Sequence, residues 1–281
     1  MLNSKMKKLA MGASAALLMS YSFAAHATTT ISVGVAANFA GALAAVIANF
    51  EADYPNYSVT YTSASTGTLT TNIINGGTSG PYDLFLAADT SAPTYLATNY
   101  SSLVESGSQF DYAEGYLTLW SSTKNEINVS FGLPSSFVSL VIGDPSSGVY
   151  GYNVPYGHAA AQVLSNYGIS LPDSRVSTAS SIGATYAAVD NGTYPMGFVA
   201  KSQTGTCNPS SGAYTPNADT YTYYNYAPGS STYDAIIQDG IIIARTRTSD
   251  QETEVQTFVD YLLNNTSSKN TVRSFCYGIL N

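Results

Sequence analysis

The sequence predicts an α/β protein built as two lobes with a cleft between them. Two observations carry this expectation. Short apolar runs of β type alternate with helical stretches over residues 30–88 and again from residue 115. Such alternation with short connections places parallel strands beneath covering helices. The chain has 281 residues, enough to bury a core as one large domain or as two lobes. Repetition of the α/β pattern selects two.

The elements follow in order. "TISVGVA" (30–36) reads as a buried strand. "NFAGALAAVIANFEADY" (38–54) reads as a helix, because Phe39, Leu43, Val46, Ile47 and Phe50 fall at helical spacing and Asn38 is a good N-cap. "YSVTYT" (57–62) alternates as a strand, "TGTLTTNIING" (66–76) is a short helix stopped by Gly76 and Gly77, and "YDLFLAA" (82–88) is a third strand. In the second unit, "GYLTLWSS" (115–122) and "SLVIGDP" (139–145) read as strands. "YGHAAAQVLSNYG" (156–168) is a helix closed by Gly168. "SRVSTA" is a short strand, "SIGATYAAVDNG" (181–192) a helix and "MGFVAKS" (196–202) a strand. Residues 203–233 are polar, Tyr-rich and broken by Pro and Gly, which predicts a long loop or an insertion whose tyrosines pack on the surface or along an edge strand. "AIIQDGIIIART" (235–246) returns as strand. "DQETEVQTFVDYLLNN" (250–265) is an amphipathic helix with acids in its first turn, and "SKNTVRSFCYGIL" is a last short helix.

The first 27 residues read as a secretory signal peptide. Lys5, Lys7 and Lys8 form a basic start, a short apolar run follows, and "AHA" (Ala25, His26, Ala27) supplies small residues before a cleavage point at Thr28. Loss of those three lysines leaves seven basic residues against 18 acidic ones, a net charge of −11. Binding nucleic acid requires a basic surface, so nucleic acid is excluded as a partner. An anionic small ligand is not excluded, because the local field of a cleft decides affinity. Cys207 and Cys276 are the only cysteines, and export to an oxidising compartment predicts a disulfide between them. The 23 tyrosines argue for a folded chain.

Catalytic chemistry is poorly supplied. After the signal segment one histidine remains, His158, expected to face solvent near a helix start. No G-x-S-x-G elbow and no G-x-x-x-x-G-K-[ST] loop occurs, and a metal site is not supported by a single His with paired cysteines. What the chain does offer is polar helix starts: Asn38, the "SASTGTL" stretch with Ser65 and Thr66, "VPYG" around Tyr156, and "ASSIG" before Ile182. A helix start leaves N–H groups unpaired at the positive end of its dipole. In α/β sheets these starts follow the carboxyl ends of strands, where ligands bind. Two from each lobe would form an anion cage without charged side chains. Each start is also an ordinary cap by itself.

The segments "ISVGVAANFAGALAAVIANFE", "SASTGTLTTNIINGG", "PYDLFLAAD", "IGDP", "VPYGHAAAQVLSNYG", "SSIGATYAAVDNGTYPMGFVAKS" and "AIIQDGIII", in this order, resemble the periplasmic molybdate/tungstate-binding proteins of ABC importers. The resemblance implies a type II periplasmic binding protein fold, with lobe 1 over 28–114 plus 237–281 and lobe 2 over 115–236. It implies a periplasmic monomer without enzymatic activity or cofactor, which delivers molybdate or tungstate to the membrane subunits of an ABC permease. Asn38, Ser65 and Thr66, Tyr156, and the backbone N–H of Ile182 take the family's ligand positions. Sulfate, thiosulfate or phosphate is the alternative ligand, and an adhesion module on this fold the alternative role. Three departures stand out. Ala200 occupies a place where some relatives carry a ligand-binding Tyr, "SSGVYGYN" (146–153) is extra sequence, and the 203–233 stretch is divergent.

Overall fold

The structure is a computed structural model that describes residues 28–148 and 151–280. The expected signal peptide lies outside the described residues.

The first part of the chain runs β1 (Thr29–Ala36), α1 (Ala40–Asp53), β2 (Tyr57–Ala64), α2 (Thr66–Gly76), β3 (Leu84–Leu86), α3 (Ser91–Asn99) and β4 (Phe110–Gly115). The middle runs β5 (Leu117–Ser122), β6 (Leu140–Gly143), β7 (Ser147–Gly148), β8 (Gly151–Tyr152), α4 (Pro155–Asn166), β9 (Val176–Ala179), α5 (Ile182–Asp190) and β10 (Gly197–Ala200). Then come α6 (Lys201–Thr204), β11 (Gly205–Cys207), β12 (Tyr214–Pro216), β13 (Thr220–Asn225), β14 (Ile236–Ile242), α7 (Ser249–Asn264) and α8 (Thr266–Ser274).

Two five-stranded sheets result. The first has the order β2-β1-β3-β14-β4, with β1 parallel to β2 and β3 and β14 antiparallel to β3 and β4. The second has the order β13-β5-β10-β6-β9, with β6 parallel to β9 and β10 and β5 antiparallel to β10 and β13. The chain passes between the sheets at Tyr116 and returns between Asn225 and Ile236. Each sheet with its helices forms one lobe.

Burial explains the layers. In the first lobe, Leu43, Val46 and Phe50 of α1 pack with Val255 and Phe258 of α7 and Val272 of α8 on one face. Leu69 and Ile73 of α2 and Leu96 of α3 cover Phe85 and Ile241 on the other. Strands buried on both faces read as continuous apolar runs, which is why β1 and β3 were legible. In the second lobe, Val163 and Leu164 of α4 pack on Leu119, Ile142 and Phe198.

Several expectations need correction. Asn38 is not an N-cap: α1 begins at Ala40, Phe39 occupies the cap position without a side-chain bond, and a tight turn is closed by the Phe39 N–H on the Ala36 carbonyl at 2.9 Å. Helix α3 and strand β4 were not anticipated; β4, "FDYAEG", mixes acids with apolar residues and gives no clear alternation. The 203–233 stretch is no mere insertion, because its residues 220–225 form the edge strand β13 on β5. The expected strand at 196–202 stops at Ala200, where α6 begins. His158 does not simply face solvent: it is half-buried and stacks on Tyr152, ring centroids 3.5 Å apart. Among the described residues, no helix is long and apolar enough to cross a membrane.

Candidate functional site

Four strand-to-helix turns meet between the lobes. β1 leads to Asn38, β2 to Ser65 and Thr66, and β9 to Ile182, while β6 leads through the β7–β8 hairpin to Tyr156. These five residues line one small pocket, together with Ala36, Ala37, Ala88, Val154 and Pro155. No Asp, Glu, Lys, Arg or His lies in that lining, and Tyr156 is its one titratable residue. Burial raises the phenol pKa well above its ordinary value, so it stays neutral.

The donors follow from helix geometry. Thr66, Tyr156 and Ile182 lie in the first turns of α2, α4 and α5, so their N–H groups have no carbonyl one turn back within the helix. Asn38 lies in the turn before α1. None of these four N–H groups has a protein acceptor among the described residues. The side chains at the caps are already engaged elsewhere. Ser65 Oγ accepts the Thr68 N–H at 3.2 Å and lies 2.8 Å from Thr68 Oγ1 and 3.2 Å from Asn153 Oδ1. Ser181 Oγ accepts the Ala184 N–H at 3.0 Å. Thr66 is different: its Oγ1 accepts the Ala88 N–H at 3.0 Å, which fixes the rotamer and leaves its own proton for an acceptor in the pocket.

Asn38 and Tyr156 turn their side chains to a buried network behind the pocket. Asn38 Nδ2 donates to Gln238 Oε1 at 2.8 Å and to the Tyr277 hydroxyl at 3.1 Å. Gln238 Nε2 donates to the Tyr156 hydroxyl at 3.1 Å, and the Tyr112 hydroxyl donates to Gln238 Oε1 at 3.0 Å. The side chains of Asn38 and Tyr156 thus tie the pocket to β14 and the C-terminal segment, while their backbone N–H groups keep no protein acceptor among the described residues. The sequence reading missed Gln238, Tyr112 and Tyr277, because nothing local marks residues that meet only through the sheet order.

A space of about 200 Å³ adjoins this pocket through Ala88 and Pro155. Asp89 and Asp234 line it, so its field opposes an anion. Burial raises the Asp89 carboxyl to about 6 despite N–H groups that favour its charge. Lys201 lies outside the pocket of Asn38, Thr66, Tyr156 and Ile182. Its ammonium sits over the rings of Tyr116 and Tyr214 at 5.8 and 5.2 Å, and burial lowers its pKa. Among the described residues, no cluster of His, Cys, Asp and Glu is arranged to hold a metal. Cys207 and Cys276 form the expected disulfide, with Cα atoms 4.9 Å apart. It joins β11, paired with β12 in a separate two-stranded sheet, to the segment after α8, next to Tyr277.

The family profile described as bacterial extracellular solute-binding protein matches residues 31–269. The molybdate-binding protein ModA of Azotobacter vinelandii is 29% identical over 252 residues, 89% of this chain and 90% of its own length. ModA of Rhodobacter capsulatus is 32% identical over 190 residues, 67% of this chain and 70% of its own length. The solved periplasmic molybdate-binding protein of Azotobacter vinelandii superposes with a TM-score of 0.71 at 24% identity, covering 89% of this chain and all of the other. That similarity shows the two-lobed periplasmic-binding-protein fold. The chain belongs to the bacterial extracellular solute-binding protein family and is homologous to its ModA members.

Proposed function

We propose that the protein captures a tetrahedral oxyanion, molybdate or tungstate, in the periplasm and delivers it as a monomer to an ABC permease. The observation that carries this reading is the convergence of four acceptor-free N–H groups and the Thr66 hydroxyl on one small neutral pocket. Homology to the ModA proteins supports the choice of ion.

A dianion leaving water loses a shell of donors, and burial is tolerable only where that shell is replaced. Here Asn38, Thr66, Tyr156 and Ile182 supply N–H groups, three of them at helix starts whose dipoles favour negative charge. Ser65 contributes by capping α2 and holding Thr66 in place. These dipoles are fixed before the ion arrives, so little reorganisation accompanies binding. The two lobes, hinged at the crossings near Tyr116 and before Ile236, open to admit the ion and close over it. The protein performs no chemical step. Release follows when the permease separates the lobes.

The cage lacks a carboxylate acceptor for the proton of a protonated phosphate, and the neutral amide oxygen Asn38 Oδ1 is the unpartnered buried acceptor on its lining, so phosphate is disfavoured. Calorimetry with molybdate, tungstate, sulfate and phosphate tests the reading. Molybdate and tungstate are expected to bind tightly, sulfate more weakly and phosphate weakest. Absence of heat and of thermal stabilisation with both molybdate and tungstate overturns it.

A further inference from the structure

Asn153 does not line the oxyanion pocket, yet it joins the two lobes beside it. We infer that Asn153 is a cross-cleft latch, a positioning residue that holds the second lobe on the start of α2 and sets how long a captured ion stays. The ion in this statement rests on the oxyanion reading above; the interlobe contact itself does not.

Asn153 makes four hydrogen bonds. Two stay on its own side: its N–H donates to the Ser146 carbonyl at 2.9 Å, and Nδ2 donates to Asp144 Oδ2 at 2.9 Å. Two cross the cleft: its carbonyl accepts the Gly67 N–H at 3.2 Å, and Oδ1 accepts from Ser65 Oγ at 3.2 Å. Asp144 fixes which end of the amide faces Ser65. Burial raises the Asp144 pKa, but donors from Ser146 and Asn153 outweigh it and lower the value, so the carboxylate is ionised and accepts only. Nδ2 therefore faces Asp144 and Oδ1 faces the first lobe.

Gly67 is a second, independent observation. It lies in the first turn of α2 without a positive φ, so the backbone does not require glycine there. A Cβ at this position would meet Asn153 Oδ1 at 2.6 Å and Asn153 Cα at 3.1 Å. The missing side chain is what lets the lobes approach. The latch also consumes the Gly67 N–H and the Ser65 hydroxyl, so of the donors opening α2 the Thr66 N–H and hydroxyl are left for the pocket. Both cross-cleft bonds exist only while the lobes are together, so they oppose opening without touching the ion.

The test is a double-mutant cycle of Asn153→Ala and Gly67→Ala in the full mature chain. Molybdate affinity is measured by calorimetry and release by stopped-flow chase. In parallel, the distance between labels on cysteines introduced at exposed Asn75 and Ser165 is measured in ligand-free protein. Asn153→Ala is expected to speed release roughly 2- to 12-fold with association unchanged. Gly67→Ala is expected to speed it more, because the added methyl wedges the cleft. The double variant is expected to release more slowly than Gly67→Ala alone, since the Oδ1 clash is gone. Unchanged release in Asn153→Ala, or strictly additive effects, overturns the latch. A parent that binds no molybdate refutes the oxyanion reading instead. The latch is then decided by the labels: Gly67→Ala must lengthen the distance and Asn153→Ala must shorten it again, and equal distances in all four proteins overturn it.

Discussion

Replacing Thr66 with Val separates the two things its hydroxyl does. The shape is nearly kept, so the pocket does not collapse or overfill. Oγ1 accepts the Ala88 N–H at 3.0 Å in a fully buried setting, and Val leaves that N–H without a partner. An orphaned buried donor costs about 1–3 kcal/mol of stability. The same hydroxyl is the one side-chain donor free for the ion, and a hydrogen bond to a charged group contributes about 1.5–3 kcal/mol. Thr66→Val should therefore weaken molybdate roughly 10- to 150-fold while lowering the unfolding free energy. Thr66→Ser restores the hydroxyl and removes only a methyl, so it should keep most of the affinity. Calorimetry well below the melting transition reads the first effect, and denaturant unfolding reads the second. A Thr66→Val protein that binds molybdate as tightly as the parent refutes the neutral-cage mechanism.

Other outcomes follow from the same geometry. Changing both Cys207 and Cys276 to Ser should cost about 4 kcal/mol by the chain-entropy account of a loop this long; a loss under about 1 kcal/mol in denaturant unfolding contradicts that account. Asp89 has a folded-state pKa of about 6 against 3.8 for the ordinary group, because burial disfavours its charge. Its ionised form therefore destabilises the fold. The penalty is absent below about pH 3.8, grows as pH rises to about 6, and then stays at about 3 kcal/mol. Asp89→Asn keeps an acceptor for the Ala92 N–H, now held at 3.2 Å, and should stabilise the protein at pH 8 but not at pH 3.5. Equal gains at both values contradict the assignment.

The sequence by itself determined the α/β class, both parallel sections and the start of α2, because each is written in local periodicity and capping chemistry. Leu43, Val46 and Phe50 announce one helix face, and Ser65 with Thr66 announces a polar helix start, without help from distant residues. The cysteine count and the export context were likewise enough to expect the Cys207–Cys276 bond. The tertiary structure alone decided the long-range partners of these residues. Asn38 reads as a cap and is instead held by Gln238 and Tyr277, 200 and 239 residues away in the chain. For Tyr156 the sequence leaves phenol and backbone N–H open, and the fold turns the phenol to Gln238, whose Nε2 donates to it. Residues 203–233 read as an insertion, yet β13 finds its partner in β5, about a hundred residues earlier. Gly67 falls within the polar helix start of the "SASTGTL" stretch, and only the approach of Asn153 explains why a side chain is missing there. Hydrogen-bond partners across a sheet order or a cleft leave no periodic trace in the chain, so they are settled only when the lobes come together.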